Sequence, residues 1–278
     1  MIGDQTIVCA GTLSAITCYR VASLLLDGYG EHAEAMTLLG NDAVIVARLL
    51  HAAREPVSCL LIGPTDGDER ALGDAAPGLE VRTAGRRSGP VTRSATLEAT
   101  DGRRYWLLPP APPTPDPSPL PPPVAGAWVY VDLYDELEDT VIAWLARWAP
   151  SRLVVNLSGS RHSAKSARLA PFHPLLIQAS LPHTYPAAAL EGAARKLRSA
   201  ASASYTLVSA GPGGFALAGP AGSWQRRPQQ IVTGTALGSG AALSAGAVAG
   251  LAHGADGADL ADAAADSVAA YLGAGVPS

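Results

Sequence analysis

Six short aliphatic runs, spaced along the chain with helical or irregular segments between them, constrain its fold more than any other feature. They are Thr6–Ala10 (TIVCA), Val57–Ile62 (VSCLLI), Trp128–Asp132 (WVYVD), Arg152–Leu157 (RLVVNL), Leu175–Ala179 (LLIQA) and Tyr205–Ala210 (YTLVSA). A strand with one wet face alternates polar and apolar residues. Strands apolar throughout are covered on both faces, as in a parallel sheet layered between helices. Helical patterns fill Asn41–Arg54, Asp139–Ala149, Ala187–Ala201, Ser239–His253 and Asp259–Leu272. In the last of these, Leu260, Ala264, Val268, Tyr271 and Leu272 share one stripe, with Asp259, Asp262 and Asp266 off it. The alternation predicts an α/β fold: a doubly wound, mostly parallel sheet with helices on both faces. A chain of 278 residues encloses such a core as one domain, 1–278, without a disulfide or metal staple.

Two regions break the rhythm. Ser88–Leu108 alternates and contains Asp101-Gly102, a hairpin signal between two β-like arms, and Thr17–Met36 is irregular enough to supply further strands. Together, roughly 17–36 and 88–108, they predict a small β lid. The next segment, 109–123, holds ten prolines in 15 residues and reads as a stiff polyproline II-like surface connector.

Charge excludes one class of partner. The net charge of −4, with Lys165 and Lys196 the only lysines, leaves no basic stripe for nucleic acid. Cys9, Cys18 and Cys59 form no CxxC pair and sit in or near apolar runs, as core thiols of a reducing compartment do. The first residues show no secretory leader, and the low-charge stretch Ile231–His253 is too rich in Gly, Ala and Ser for a membrane span. The expectation is a cytoplasmic protein with no membrane partner.

The most informative motif precedes the first of the two late helices: Gly238-Ser239-Gly240-Ala241, after Thr233-Gly-Thr-Ala-Leu. Glycines there let backbone N–H groups converge on an anion at the helix's positive end. Upstream, Tyr205–Ala210 runs into Gly211-Pro-Gly213-Gly214 and a second apolar stretch. Near the start, Thr37-Leu-Leu-Gly-Asn41 opens a helix, and the Val57–Ile62 strand ends in Gly63-Pro-Thr-Asp66-Gly-Asp68. This order resembles the ribokinase/PfkB family of carbohydrate and nucleoside kinases over nearly the whole chain. The resemblance implies a ribokinase-like fold, a small-molecule ligand and a possible homodimer formed through the lid.

The departures from the family pattern bear on chemistry. The aspartate that accepts the attacking hydroxyl's proton in the family falls on Ala241, and a methyl group accepts no proton; such bases contribute roughly 10²–10⁴-fold. The early-strand aspartate that grips sugar hydroxyls falls near Ile16, and the paired glycines before the first helix fall on Met36 and Thr37. The N-x-x-E motif that organises metal falls near Ser180 and His183, while the substrate-side asparagine persists as Asn41. The resemblance therefore implies a protein that binds a small molecule without ordinary ATP-dependent phosphoryl transfer. Gly238, Ser239, Gly240 and Ala241 would hold an anion, and Ser14, Ile16, Asn41, Gly211 and Gly213 would line the ligand. Two alternatives remain: a repurposed enzyme using His183 and Asn41 as catalytic groups, and an atypical active kinase. ATP and Mg²⁺ are implied only by the last.

Other candidates read as ordinary structure. Gly159-Ser-Arg-His-Ser-Ala164-Lys165-Ser166 nearly matches a P-loop but has alanine at the second glycine and prolines soon after, so it reads as a basic surface loop. His162, His173 and His183 lie too far apart for a metal pair, and no metal site is expected. The Asp132–Asp139 cluster reads as a solvated loop and helix N-terminus, and Trp144 with Trp148 as core.

Overall fold

The computed structural model describes residues 6–22, 33–99, 104–107, 120–122, 125–158, 162–228 and 236–274. The apolar runs become β1 (Ile7–Gly11), β4 (Val57–Ile62), β8 (Trp128–Asp132), β9 (Leu153–Leu157), β10 (Leu176–Ser180) and β11 (Tyr205–Ser209). With β5 (Glu80–Ala84), β12 (Phe215–Gly219) and β13 (Gly222–Arg226) they form one sheet of nine strands, ordered β13-β12-β11-β10-β9-β8-β1-β4-β5. Pairing is parallel from β11 through β5, and β12 and β13 add an antiparallel edge. β1, β8 and β9 are buried at every residue, as their unbroken apolar runs require.

Helices cover both faces. On one face α1 (Asp42–Ala52), α2 (Asp66–Ala75), α6 (Ser239–Ala252) and α7 (Gly257–Ala274) pack over Ile7, Cys9, Cys59, Leu61 and Tyr130. On the other, α3 (Glu138–Trp148), α4 (His162–Leu169) and α5 (Leu190–Ala201) pack over Val8, Ala10, Val129, Val131 and Val155. α6 is apolar on all sides because α7 covers its outer side; a Cβ on Gly246 would lie 2.6 Å from Ser267 Cβ, so only glycine allows that approach. α2 escapes a periodicity reading because DGDERALGDA is polar; a Thr65–Asp68 capping box starts it.

The lid is a separate four-stranded sheet ordered β3-β2-β6-β7, from β2 (Ala15–Val21), β3 (Glu34–Leu39), β6 (Arg93–Ala99) and β7 (Arg104–Leu107). β6 and β7 pair antiparallel, while Asp101-Gly102 between them lies outside the described residues. The lid joins the main sheet where β1 runs through Thr12–Ser14 into β2, and Asp68 clamps its other root by accepting from Thr92 N (2.9 Å). Of the proline-rich segment, Leu120–Pro122 are described. Leu120 is buried and Trp144 Nε1 donates to Pro121 O (2.9 Å), so this end of the connector is fastened to the core.

Two sequence expectations fail. The P-loop lookalike is not a surface loop: from His162 onward it is α4, and Lys165 is fully buried. The acidic cluster is not all solvated: Asp132 is the last residue of β8 and wholly buried, and Glu138 is nearly so. No helix among the described residues is long and apolar enough to cross a membrane.

Candidate ligand-binding crevice

In an open parallel sheet, ligands bind beyond the carboxyl ends of the strands, where the loops converge. Here the ends of β1, β8 and β9 meet the N-terminus of α1, and polar side chains collect in an otherwise apolar structure. Asn41 occupies the N-cap position but does not cap with its side chain. Its Nδ2 donates to Thr12 Oγ1 (2.6 Å) and its Oδ1 accepts from Ser14 Oγ (3.2 Å), which lies 3.4 Å from Ser94 Oγ. The two predicted ligand residues Ser14 and Asn41 are therefore in contact. Ile16, two residues on in β2, is buried in the hydrophobic core.

Next to Asn41 lies a network that sequence reasoning missed. Asp42 Oδ2 accepts from Tyr134 OH (3.0 Å), Asn156 Nδ2 (2.7 Å) and Ser158 Oγ (3.1 Å). Asn156 Nδ2 also reaches Asp132 Oδ1 (3.0 Å), so one amide bridges two carboxyl groups, and Asp132 Oδ2 accepts from Ala43 N (2.7 Å). Burial, then the charge of Asp42, pushes the Asp132 carboxyl well above the ordinary carboxylate range, against the opposing bonds from Asn156 and Ala43. Gly11 makes room: a Cβ there would stand 2.8 Å from Asp132 Oδ2. Single polar residues ending or interrupting apolar strands, WVYVD and LVVNL, are the sequence signal that could have found Asp132 and Asn156.

Lys165 fixes the loops that carry this network. Its Nζ donates to Leu133 O (2.6 Å) and Ser158 O (2.5 Å) and pairs with Asp135 (2.7 Å). The ammonium thus ties the segment after β8 to the end of β9, holding Tyr134 and Ser158 where they reach Asp42.

The second predicted cluster surrounds the start of α6. Gly238 is its N-cap, with φ +83°, and Tyr271 OH, donating to Leu237 O (2.8 Å), packs against it. Gly240 faces Ser180 and Gln178; Gln178 Nε2 donates to Ser180 Oγ (3.1 Å), itself 3.2 Å from Ser209 Oγ. The His183 ring lies against Gly211, where a Cβ would stand 2.8 Å from it, and Gly213 borders Ala187. Ala241 is fully buried in the hydrophobic core. The structure therefore groups the site residues in two sets, Ser14 with Asn41 and His183 with Gly211.

Mg²⁺ and ATP, which the resemblance implies only for an active kinase, would meet a poor donor set beside Gly240. Mg²⁺ takes carboxylate and phosphate oxygens, whereas the groups beside Gly240 are serine hydroxyls and a glutamine amide. Among the described residues no three His, Cys, Asp or Glu side chains gather as metal ligands.

No protein-family model matches the chain, and no curated protein does. Solved structures match over almost the full length. Ribokinase from Giardia lamblia is 15% identical, covers 95% of this chain and 91% of its own, and superposes with a TM-score of 0.74. Phosphofructokinase-2 from Escherichia coli, in complex with fructose-6-phosphate, is 15% identical over 97% and 93%, with a TM-score of 0.69. Ribokinase from Arabidopsis thaliana, complexed with ribose and ATP, is 15% identical over 95% and 91%, with a TM-score of 0.62. The chain has the ribokinase-like fold. At these identities the likeness concerns the backbone, and the chemistry rests on the side chains described above.

Proposed function

We propose that this protein is a PfkB/ribokinase-like small-molecule binder that has given up ordinary phosphoryl transfer from ATP. One observation carries the reading: the first turn of α6, where such kinases hold their catalytic carboxylate, presents Ala241, and that methyl group is sealed in the core. Gly238 turns the chain into α6 with φ +83°, and anion binding by the backbone N–H groups of that first turn would need no side chain. Asn41, Ser14 and Thr12 supply hydroxyl and amide groups for a polar ligand. A second reading, a repurposed enzyme, is favoured by the Asp132 carboxyl, which burial and then the charge of Asp42 push well above the carboxylate range, since strongly perturbed acids gather at catalytic centres.

The lid supports self-association. Ala35, Tyr19, Leu97 and Tyr105 stand in register across its four strands, and Tyr19, Tyr105 and Leu107 are exposed. A homodimer through this face should dissociate on Leu107→Asp, read by light scattering. Three free, buried thiols fit a reducing, cytoplasmic setting.

The test is ADP formation from Mg·ATP with a panel of sugars, nucleosides and amino alcohols, alongside binding of the same panel by calorimetry. The expected result is binding without turnover. Ala241→Asp, whose carboxylate would enter the core, is expected to lose stability and gain no turnover. Substrate-dependent ADP formation by the native chain would overturn the proposal.

A further inference from the structure

Among the described residues the lid's strands pair only with one another, yet the inner face of the lid is not free. Ile16, Cys18 and Leu38 are buried there, in one hydrophobic cluster with Leu237 before α6, Ala241 and Leu243 of α6, and Leu260 of α7. Thr96, in register with Cys18, and Glu98, two residues on, are buried on the same face. Tyr19 and Tyr105, on the outer face, are exposed. The lid therefore lies shut against the body with no ligand beneath it.

Its attachments are unequal. Where the chain enters β6, the buried Asp68 accepts from Thr92 N (2.9 Å) and from Thr65 N (2.7 Å), so that root is pinned to the start of α2. The β3 edge depends on side chains instead. A Cβ on Gly238, in the turn before α6, would stand 3.5 Å from Leu38 Cδ2 and closer still to the Tyr271 hydroxyl, so both side chains cover that turn. Arg48 of α1 adds a bond from Nη1 to Leu39 O (2.9 Å). β3 then leaves the lid through Gly40, at φ +126°, where glycine lets the backbone swing and another residue would be strained.

We propose that Leu38, Tyr271 and Arg48 form a latch that holds the unliganded lid shut over the α6 turn. The lid opens as a unit, by release of its β3 edge about the pinned Thr92 root, while the nine-stranded sheet stays folded. A unit that pairs with itself and is joined to the rest by a few side chains opens at lower free energy than the whole domain. The purpose of the latch rests on the ligand-binding reading above, since withdrawal of Leu38 uncovers the Gly238 turn. Cys18 is a built-in marker of this opening. It is buried beneath the lid, whereas Cys59 lies within the main sheet and is uncovered by global unfolding.

The experiment is labelling of the full chain, without ligand, by an aromatic disulfide reagent, with each cysteine followed through the mass of its peptide. At low urea Cys18 should label at least about ten-fold faster than Cys59, with a weaker dependence on urea, and far more slowly than a free thiol. Leu38→Ala, which empties the latch, should speed Cys18 labelling about ten-fold or more. Val155→Ala, on the far side of the sheet, should speed Cys59 and leave Cys18 unchanged, because it weakens the body and not the lid. Equal rates with equal urea dependence, Cys18 as reactive as a free thiol, an unchanged Cys18 rate in a folded Leu38→Ala, or equal acceleration of both thiols by Val155→Ala would each overturn the proposal. The comparison of Cys18 with Cys59 in the native chain needs no variant, so it decides the matter even if Leu38→Ala does not fold. No ligand enters the measurement: uniform labelling would sink the latch alone, whereas turnover of Mg·ATP would sink the proposed function and leave the latch standing.

Discussion

Replacing Gly238 by alanine tests whether the turn before α6 is held in the shape an anion would need. Gly238 has φ +83°, a left-handed conformation that costs an alanine about 1–2 kcal/mol. The added methyl would also collide with Tyr271, whose ring carbon Cζ would be 3.0 Å away and whose hydroxyl lies closer still. That hydroxyl cannot retreat without releasing Leu237 O, a loss of about 1 kcal/mol, and overpacking of this kind adds roughly 1–3 kcal/mol. The sum is about 3–6 kcal/mol, a large share of a typical domain's stability.

The cause is separable by a double-mutant cycle read in urea through tryptophan fluorescence. Tyr271→Phe alone should cost about 1 kcal/mol, the hydrogen bond to Leu237. In that background Gly238→Ala should cost about 1–2 kcal/mol less than in the native chain, because the atom it strikes is gone while the backbone strain remains. If the two changes add to within about 0.5 kcal/mol, the hydroxyl does not press on the turn and the reasoning fails.

Three further outcomes follow from buried groups. Lys165→Met should destabilise by about 3–5 kcal/mol by stranding the carbonyls of Leu133 and Ser158, and a loss under about 1 kcal/mol in urea unfolding would show that the ammonium is not needed. Asp132 binds its proton more tightly folded than unfolded, so its stabilisation is complete below the unfolded value, about 3.9, and is lost as pH rises through the higher folded value; native stability relative to Asp132→Asn should fall as pH rises from about 4, and a pH-independent difference would refute the raised affinity. Burial pushes the Cys59 thiol up to about 12 and raises Cys9 well above its ordinary value, so an aromatic disulfide reagent should label neither until denaturant is added, and prompt labelling of the native chain at neutral pH would contradict the packing.

The layered fold was legible because its strands are apolar on both faces, and VSCLLI and WVYVD match β4 and β8 residue for residue. What escaped were elements with few fully buried apolar residues. EVRTA of β5 is half polar because it lies at the sheet's edge, and α2 relies on its capping box more than on an apolar stripe. The α6 turn and Asn41 could be found from local spacing. The acid pair could not, since Asp42 and Asp132 are 90 positions apart and only the parallel pairing of β1 with β8, under α1, brings them together. Lys165 was misread for the same reason: a lysine in a basic stretch looks solvated until its ammonium is seen bound to carbonyls at the ends of two strands.

Taken together, these missed residues are concentrated at the carboxyl ends of β8 and β9, where single polar groups end or interrupt apolar strands. The turn at Gly238 is a backbone feature, and its form does not depend on the side chain at position 241. The acidic groups instead are Asp42 and the buried Asp132, bridged by Asn156 from β9 and framed by loops that Lys165 holds in place. Maintaining a wholly buried carboxyl group, a bridging amide and a buried ammonium is costly for folding alone, since apolar residues of similar volume would fill the same space with no desolvation penalty. The arrangement is therefore better explained by what enters the crevice than by what stabilises the fold.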